Sequence, residues 1–318
     1  MEKLGMPAVR LTPASADASF RHYFRVATDT GSVIVMDAPP PQEDCRPFLR
    51  VAELLHDAGV HAPVVLAQDL EQGFLLLTDL GKHTYLDVLD EQNADELFCD
   101  AISTLCKWQL ASRPAILPVY DRALLRRELS LFPEWYVARH LGITLSHHEQ
   151  ETLDAVFRLL EDSALAQPQV YVHRDYMPRN LMLSTPNPGV LDFQDAVYGP
   201  ITYDVVSLFR DAFLSWDEKR IGAWCAQYRE QAQKAGLPVQ DEAEFIRALD
   251  WMGLQRHLKV LGIFARINYR DGKPNYLVDT PRFLNYVRTI GGRYPEFTSL
   301  LELLDTLERY AETVAVSI

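Results

Sequence analysis

Cysteine is scarce in this chain and never paired by spacing. Cys45, Cys99, Cys106 and Cys225 are the only four in 318 residues, and no two form a Cys-x-x-Cys motif. That pattern argues against a zinc site or a disulfide framework. The four sit within apolar helical patterns and read as buried, reduced thiols. Positive charge is also in deficit: 31 Lys and Arg face 44 Asp and Glu, a formal net charge of −13. Nucleic acid and anionic membrane surfaces are therefore poor partners. No window approaches a membrane span, and Met1-Glu2-Lys3-Leu4 lacks a basic region followed by a long apolar run. A cytoplasmic protein is expected. Repeats, low-complexity tracts and long linkers are missing too. What remains, 48% hydrophobic and 24% charged, is the make-up of an ordinary globule with room for one large domain or two modest ones.

The first third reads as strands plus one helix. Val9-Arg10-Leu11 is extended. Phe20 to Ala27 alternates, with Phe20, His22, Phe24 and Val26 on one face and Arg21, Tyr23 and Arg25 on the other. Thr28-Asp29-Thr30-Gly31 is a turn into the strand Ser32 to Met36, which Pro39, Pro40 and Pro41 end. Glu43 and Asp44 open a helix with Phe48, Val51, Leu54, Leu55 and Ala58 at helical spacing and Gly59 as its stop. Val64–Ala67 and Gly73–Leu77 add two strands. From Thr84 onward the pattern is helical: 94–111, 121–140, 147–165, 203–214, 217–235, 242–269, 281–291 and a last helix from Glu296. The expected domains are 1–80, a sheet with one helix, and 81–318, helical, with the boundary at Thr78-Asp79-Leu80-Gly81. The fold class is α+β with two lobes.

One interruption of the helical series carries chemistry. Val172-His173-Arg174-Asp175-Tyr176-Met177-Pro178-Arg179-Asn180 is followed by Val190-Leu191-Asp192-Phe193-Gln194-Asp195. The order His-Arg-Asp-x-x-x-x-Asn…Asp-Phe is the phosphoryl-transfer pattern of kinase catalytic loops. Asn180 and Asp192 offer the hard oxygens that Mg2+ prefers, and Asp175 is the candidate base for an acceptor hydroxyl. A lone Asp or Asn in a loop is ordinarily a turn former or cap; five positions at this spacing reverse that reading. Leu181–Leu183 and Val190-Leu191 form a hairpin around Thr185–Gly189 that returns Asp192 to Asn180. His173 is expected to brace the loop by hydrogen bonding rather than to titrate.

With these residues in place, the chain resembles the aminoglycoside-phosphotransferase branch of the protein-kinase-like superfamily. Gly199-Pro200-Ile201-Thr202-Tyr203-Asp204 is similar to the segment that follows the metal-binding Asp there, which implies a supporting role for Asp204. Ser15–Arg25, Val35–Pro41, Thr78–Gly81, His173–Asn180, Asp192–Asp195 and Gln255–Arg266 look like a bacterial amino-sugar anomeric-kinase group of cell-wall recycling within that branch. The resemblance implies a bilobal protein-kinase-like fold, with a small antiparallel-sheet N-lobe and a larger helical C-lobe. It implies ATP-dependent phosphorylation of the C1 hydroxyl of N-acetylmuramate and/or N-acetylglucosamine. ATP and Mg2+ are the expected cofactors, and the expected partners are the amino sugar and ATP, with no nucleic acid or membrane, on a monomer. Asp79 and Leu80 are then cofactor-binding candidates.

Three departures from the kinase pattern stand out. The turn Ser15-Ala16-Asp17-Ala18-Ser19 has no glycine, although Ser15 and Ser19 hydroxyls and backbone N–H groups suit phosphate oxygens. The strand Val33–Asp37 has no Lys, and Glu53 on the next helix lacks its usual partner. Arg21 or Arg25 is the candidate replacement; a solvated strand face is the equal alternative for each. Gln194 replaces the glycine of Asp-Phe-Gly, which favours a constitutively formed metal site.

Substrate candidates are Arg174 in the loop, Glu134 and Trp135 after a Pro, and Arg256, His257 and Arg266 in a basic stretch with Lys259. Aromatic rings suit a sugar face, and a muramate carboxylate suits Arg. A solvated or core role remains the bland alternative for each. Arg179 either damps charge repulsion during transfer or pairs with a neighbouring carboxylate. Two other functions stay open: a kinase of another small metabolite (aminoglycoside, choline, homoserine), or a nucleotide-binding regulatory pseudokinase.

Overall fold

The computed structural model describes residues 11–15 and 20–316. In chain order the elements are β1 (Thr12–Ser15), β2 (His22–Thr28), β3 (Gly31–Asp37), α1 (Arg46–Asp57), β4 (Val65–Asp69), β5 (Phe74–Thr78), α2 (Tyr85–Val88), α3 (Ala94–Leu110) and α4 (Arg122–Leu129). A π-helix (Phe132–His140), α5 (His147–Ala166), β6 (Gln169–Val172), β7 (Leu181–Met182), β8 (Gly189–Val190) and β9 (Val197–Pro200) follow. The chain ends with α6 (Tyr203–Phe209), α7 (Glu218–Ala235), α8 (Glu242–Asp271), α9 (Thr280–Gly291) and α10 (Thr298–Val316). Contacts divide the chain into two compact units. The first is drawn from Met1–Arg113, His173–Ala196 and Ala226–Leu237; the second from Pro114–Val172, Val197–Cys225 and Pro238–Ile318.

The first unit holds a five-stranded antiparallel sheet in the order β1-β2-β3-β5-β4. The β2–β3 hairpin closes with Thr28 opposite Gly31, as the turn residues predict. Strand pairing sets two rows across the sheet: Arg25–Ile34–Leu77 and Tyr23–Met36–Leu75. Because side chains alternate along a strand, all six project to one face. Helix α1 buries Phe48, Val51, Ala52, Leu54 and Leu55. It ends in a Schellman motif, in which the N–H groups of Gly59 and Val60 donate to the carbonyls of His56 and Leu55. Gly59 has φ +69, which glycine adopts without penalty. The first strand is Thr12–Ser15 rather than a strand at Leu11; Val9 and Arg10 lie outside the described residues.

In the second unit, α8 is buried along most of its length and packs against α5, α9 and the π-helix. The helix expected over 121–140 is broken. Pro133 has no N–H to donate, and beyond it the turns widen: Leu141 N–H donates to Tyr136 O at 3.0 Å, a five-residue step. Tertiary packing holds that segment close. A Cβ added to Gly262 of α8 would lie 2.3 Å from the Leu131 carbonyl carbon and oxygen. The helix expected over 203–214 stops at Phe209, where the Asp211 carboxylate accepts from Phe213 N–H at 3.0 Å and turns the chain. The strand β9, not anticipated, pairs with β6.

Candidate active site

The sheet face of the first unit and the β7–β8 hairpin line one cavity of about 350 Å3. Its wall includes Tyr23, Arg25 and Ile34, the segment Thr78–Lys82, and Arg179, Asn180, Asp192 and Phe193. The hairpin supplies the last of these. Leu181 pairs with Val190, and Leu191 N–H donates to Asn180 O at 2.9 Å. This brings Asn180 and Asp192 to the same wall. At the hairpin tip the Asn187 amide donates to Tyr85 Oη at 2.8 Å and to Asp100 Oδ2 at 2.7 Å, which ties the turn to α2 and α3.

Asp175 is held through its backbone. Its N–H donates to His173 Nδ1 at 3.2 Å, and its carbonyl accepts from Met177 N–H at 3.0 Å and from Asn180 Nδ2 at 2.9 Å. Among the described residues its carboxylate has no hydrogen bond or ion pair, and it is half-buried. Asp175 itself is not among the residues lining the cavity. The Asn180 bond has a second effect: with Nδ2 committed, Oδ1 is presented as an acceptor. Asp192 Oδ1 accepts from Gln194 Nε2 at 2.9 Å, so the residue in place of a glycine orients the carboxylate. Arg174 (φ +76) and Asp192 (φ +59) both occupy left-handed backbone. Such strain collects where surrounding structure fixes a functional geometry.

His173 is fully buried, and its Nε2 bonds to the Leu191 carbonyl at 2.9 Å. With Nδ1 accepting from Asp175, the ring is neutral and bridges the two halves of the loop. Burial pushes its pKa down to about 4, against smaller opposing effects of Asp175 and Leu191. The unfolded imidazole titrates near 6.5, above the folded value, so the unfolded chain takes up a proton first as pH falls. The stabilisation is complete above pH 6.5 and erodes toward pH 4, by roughly 2 kcal/mol at pH 5. We expect ring NMR of the intact protein to detect no His173 protonation above pH 5. We also expect the pH slope of unfolding to flatten in His173→Gln; a slope identical to the parent's would remove this account.

The remaining candidates are placed as follows. Arg25 Nε and Nη2 grip Asp79 at 2.5 and 3.1 Å, and Nη2 also donates to Gly81 O at 2.6 Å. Burial alone would raise the Asp79 carboxyl, but Arg25, Ser32 and the Gly81 N–H outweigh it and hold it below the usual range. Leu80 is buried on the cavity wall. Arg21 pairs with Glu43 at 3.0 Å and does not line the cavity. Glu53 is exposed on α1. Arg174 Nη1 donates to Asp195 O at 3.4 Å. Ser19 and the Ser15 side chain lie outside the described residues.

In the second unit Glu134 is exposed, while Trp135 packs on the hydrophobic core. The basic stretch of α8 does not act as one face. Lys259 Nζ bonds to Glu128 Oε1 at 2.9 Å and to Tyr203 Oη at 2.8 Å in a buried network. Arg256 is 2% exposed, and its Nε and Nη1 have no hydrogen-bond partner. Buried His257 stacks on Tyr286 at 4.7 Å. Burial, with Arg210 and Arg256 adding to it, holds its pKa well below the ordinary imidazole value. Arg266 is half-buried, and burial followed by Arg270 lowers its pKa.

A base candidate, two candidate oxygen ligands and a sheet-lined cavity on this topology are the parts a phosphotransferase needs. The chain belongs to the phosphotransferase enzyme family, APH, whose model matches residues 10–249. It is 60% identical to the N-acetylmuramate/N-acetylglucosamine kinase of Pseudomonas putida over 304 residues, 95% of this chain and 90% of that protein. It is 48% identical over 300 residues to the protein of the same name from Neisseria meningitidis, 92% and 89% respectively. Among solved structures, choline kinase LicA from Streptococcus pneumoniae matches with TM-score 0.63 at 15% identity, covering 88% of this chain and 94% of that one. The ADP-bound aminoglycoside phosphotransferase APH(2'')-Ib matches at 0.60 and 15%, covering 91% and 96%. These distant neighbours establish the protein-kinase-like fold. The chain is an ATP-dependent kinase with a hydroxyl acceptor, which removes the pseudokinase reading. No helix among the described residues is long and apolar enough to cross a membrane.

Proposed function

We propose that this kinase phosphorylates the anomeric C1 hydroxyl of N-acetylmuramate and N-acetylglucosamine, giving sugar 1-phosphates for peptidoglycan recycling in the cytoplasm. The observation that carries the reading is the linked set of Asp175, Asn180 and Asp192. A hydrogen bond from the Asn180 amide to the Asp175 backbone carbonyl ties the residue bearing the unpaired carboxylate to the cavity wall that holds Asn180 and Asp192. The names of the relatives at 48–60% identity supply the substrate class.

Asn180 and Asp192 fit Mg2+, which keeps several waters and takes only one or two protein oxygens beside substrate phosphates. When bound it would neutralise charge on the transferred phosphoryl group. Asp175 accepts the acceptor proton. An anomeric hydroxyl is more acidic than an ordinary alcohol because the ring oxygen withdraws electrons, so a carboxylate suffices. Arg179, on the cavity wall, offsets repulsion between phosphate and base. Asp79, Leu80 and Arg25 shape the nucleotide side. Ser15 and Ser19 complete the proposed nucleotide contacts, and Arg174, Glu134, Trp135 and Arg266 the sugar contacts; Arg21, paired with Glu43 off the cavity, and His257, fully buried against Tyr286, drop out of the two sets.

Arg256 is the proposed carboxylate reader, since two of its guanidinium nitrogens await acceptors. The two sugars differ by a lactyl carboxylate, so its loss should discriminate between them. Arg256→Met is expected to raise KM for N-acetylmuramate at least about tenfold, the worth of a charged hydrogen bond. The value for N-acetylglucosamine should move far less, and equal losses on both sugars would refute the assignment. The main test is ATP turnover on the two sugars with choline as control, with the product read by phosphorus NMR. Phosphate on any hydroxyl other than C1, or preference for choline, would overturn the reading.

A further inference from the structure

The nucleotide cavity poses an unsolved charge problem. A triphosphate must enter a chain of net charge −13, and β3 offers that sheet face only apolar side chains: Ile34, which lines the cavity, and buried Met36. Among the described residues, the cations on the wall are Arg25, Lys82 and Arg179. Arg25 is already clasped by Asp79 and the Gly81 carbonyl. Arg179 neighbours Asn180 at the catalytic end. Lys82 differs: it is exposed, lines the cavity, and has no hydrogen bond or ion pair among the described residues.

Its backbone position is set by what precedes it. Gly81 has φ +118; its N–H donates to Asp79 Oδ1 at 3.0 Å and its carbonyl accepts from Arg25. The strand arginine therefore anchors the segment from which the lysine emerges. On the far side, Thr84 caps α2 with Asp87 in a reciprocal box, so Lys82 is held between two fixed points. The chemistry suits the task, since an ammonium on a four-carbon stem is a mobile point charge with three donors.

We propose that Lys82 supplies the phosphate-binding cation that the third strand lacks. This rests on the nucleotide reading of the cavity. The probe pair is ADP against adenosine, which share base and ribose and differ in phosphate. Binding of each, with Mg2+ present, is measured by calorimetry on the full chain, Lys82→Gln and Lys82→Arg. Thermal unfolding is recorded alongside. Lys82→Gln should weaken ADP roughly tenfold, as for one charge-assisted hydrogen bond, and leave adenosine within about twofold. Lys82→Arg should recover most of the loss. Unchanged ADP affinity overturns the proposal, and so does an equal loss for adenosine, which marks a ribose contact. Failure of the unmodified chain to bind ADP would defeat the nucleotide reading itself, a result separable from either.

Discussion

Asp175→Asn should lower kcat by about a thousandfold, within the range for removing a positioned general base, while the KM for ATP moves little. The split follows from how the residue is held. The new amide keeps the backbone N–H bond to His173 and the carbonyl bonds to Met177 and Asn180, so the loop stays in register. Asp175 is also absent from the cavity wall that carries Asn180 and Asp192. Only the proton acceptor is lost. Initial rates against ATP and sugar, with unfolding curves for both proteins, make the comparison. A fall of less than tenfold would show that the hydroxyl needs no base from this residue. A large rise in the KM for ATP would show that the carboxylate serves the nucleotide instead.

Gly262→Ala should destabilise the second unit by about 1–3 kcal/mol, the range for forcing volume into a close-packed contact. The added carbon would sit 2.3 Å from Leu131 backbone atoms and 2.6 Å from its Cβ. Backbone cannot swing aside as a flexible side chain can, so α8 and the start of the π-helix must part. Gly253 on the same helix is the control. A Cβ there meets nothing nearer than His257 at 3.6 Å and Val206 at 3.8 Å, ordinary contact distances. Gly253→Ala should be neutral or stabilising by up to about 1 kcal/mol through helix propensity alone. Urea unfolding of both variants checks the pair. Similar effects at the two sites would mean that the α8 approach to Leu131 is not a tight constraint.

What could be read from sequence was local. The β2 alternation, the turn Thr28–Gly31, the apolar stripe and Gly59 stop of α1, and the hairpin before Asp192 all depend on neighbours within a few residues. What could not be read depends on distant partners. Arg25 looks like a free strand cation until Asp79, 54 residues away, arrives against it. Lys259 looks like part of a basic face until Glu128, 131 residues earlier, takes its charge. The 121–140 helix fails at Pro133, a visible signal, yet the wide turns that follow also reflect α8 pressing on Leu131. Two residues near the site carried signals that sequence reading took only part of the way, Lys82 not at all and Gln194 without its bond to Asp192. Lys82 is the first cation after the Asp79-Leu80-Gly81 segment, and Gln194 is the amide nearest in sequence to Asp192.

The row Tyr23–Met36–Leu75 has a bearing on protein engineering. Grafting the customary lysine onto the third strand at Met36 is the obvious way to bring this enzyme closer to its better-known cousins. Met36 is 1% exposed, and the two acids that might receive an ammonium there are unsuitable: Glu53 faces solvent and Asp79 is held by Arg25. An ammonium buried without a counterion is unstable by several kcal/mol. The transplant would harm the sheet unless an acid were moved with it, so the cation of this cavity is a property of its whole wiring and not of one exchangeable position.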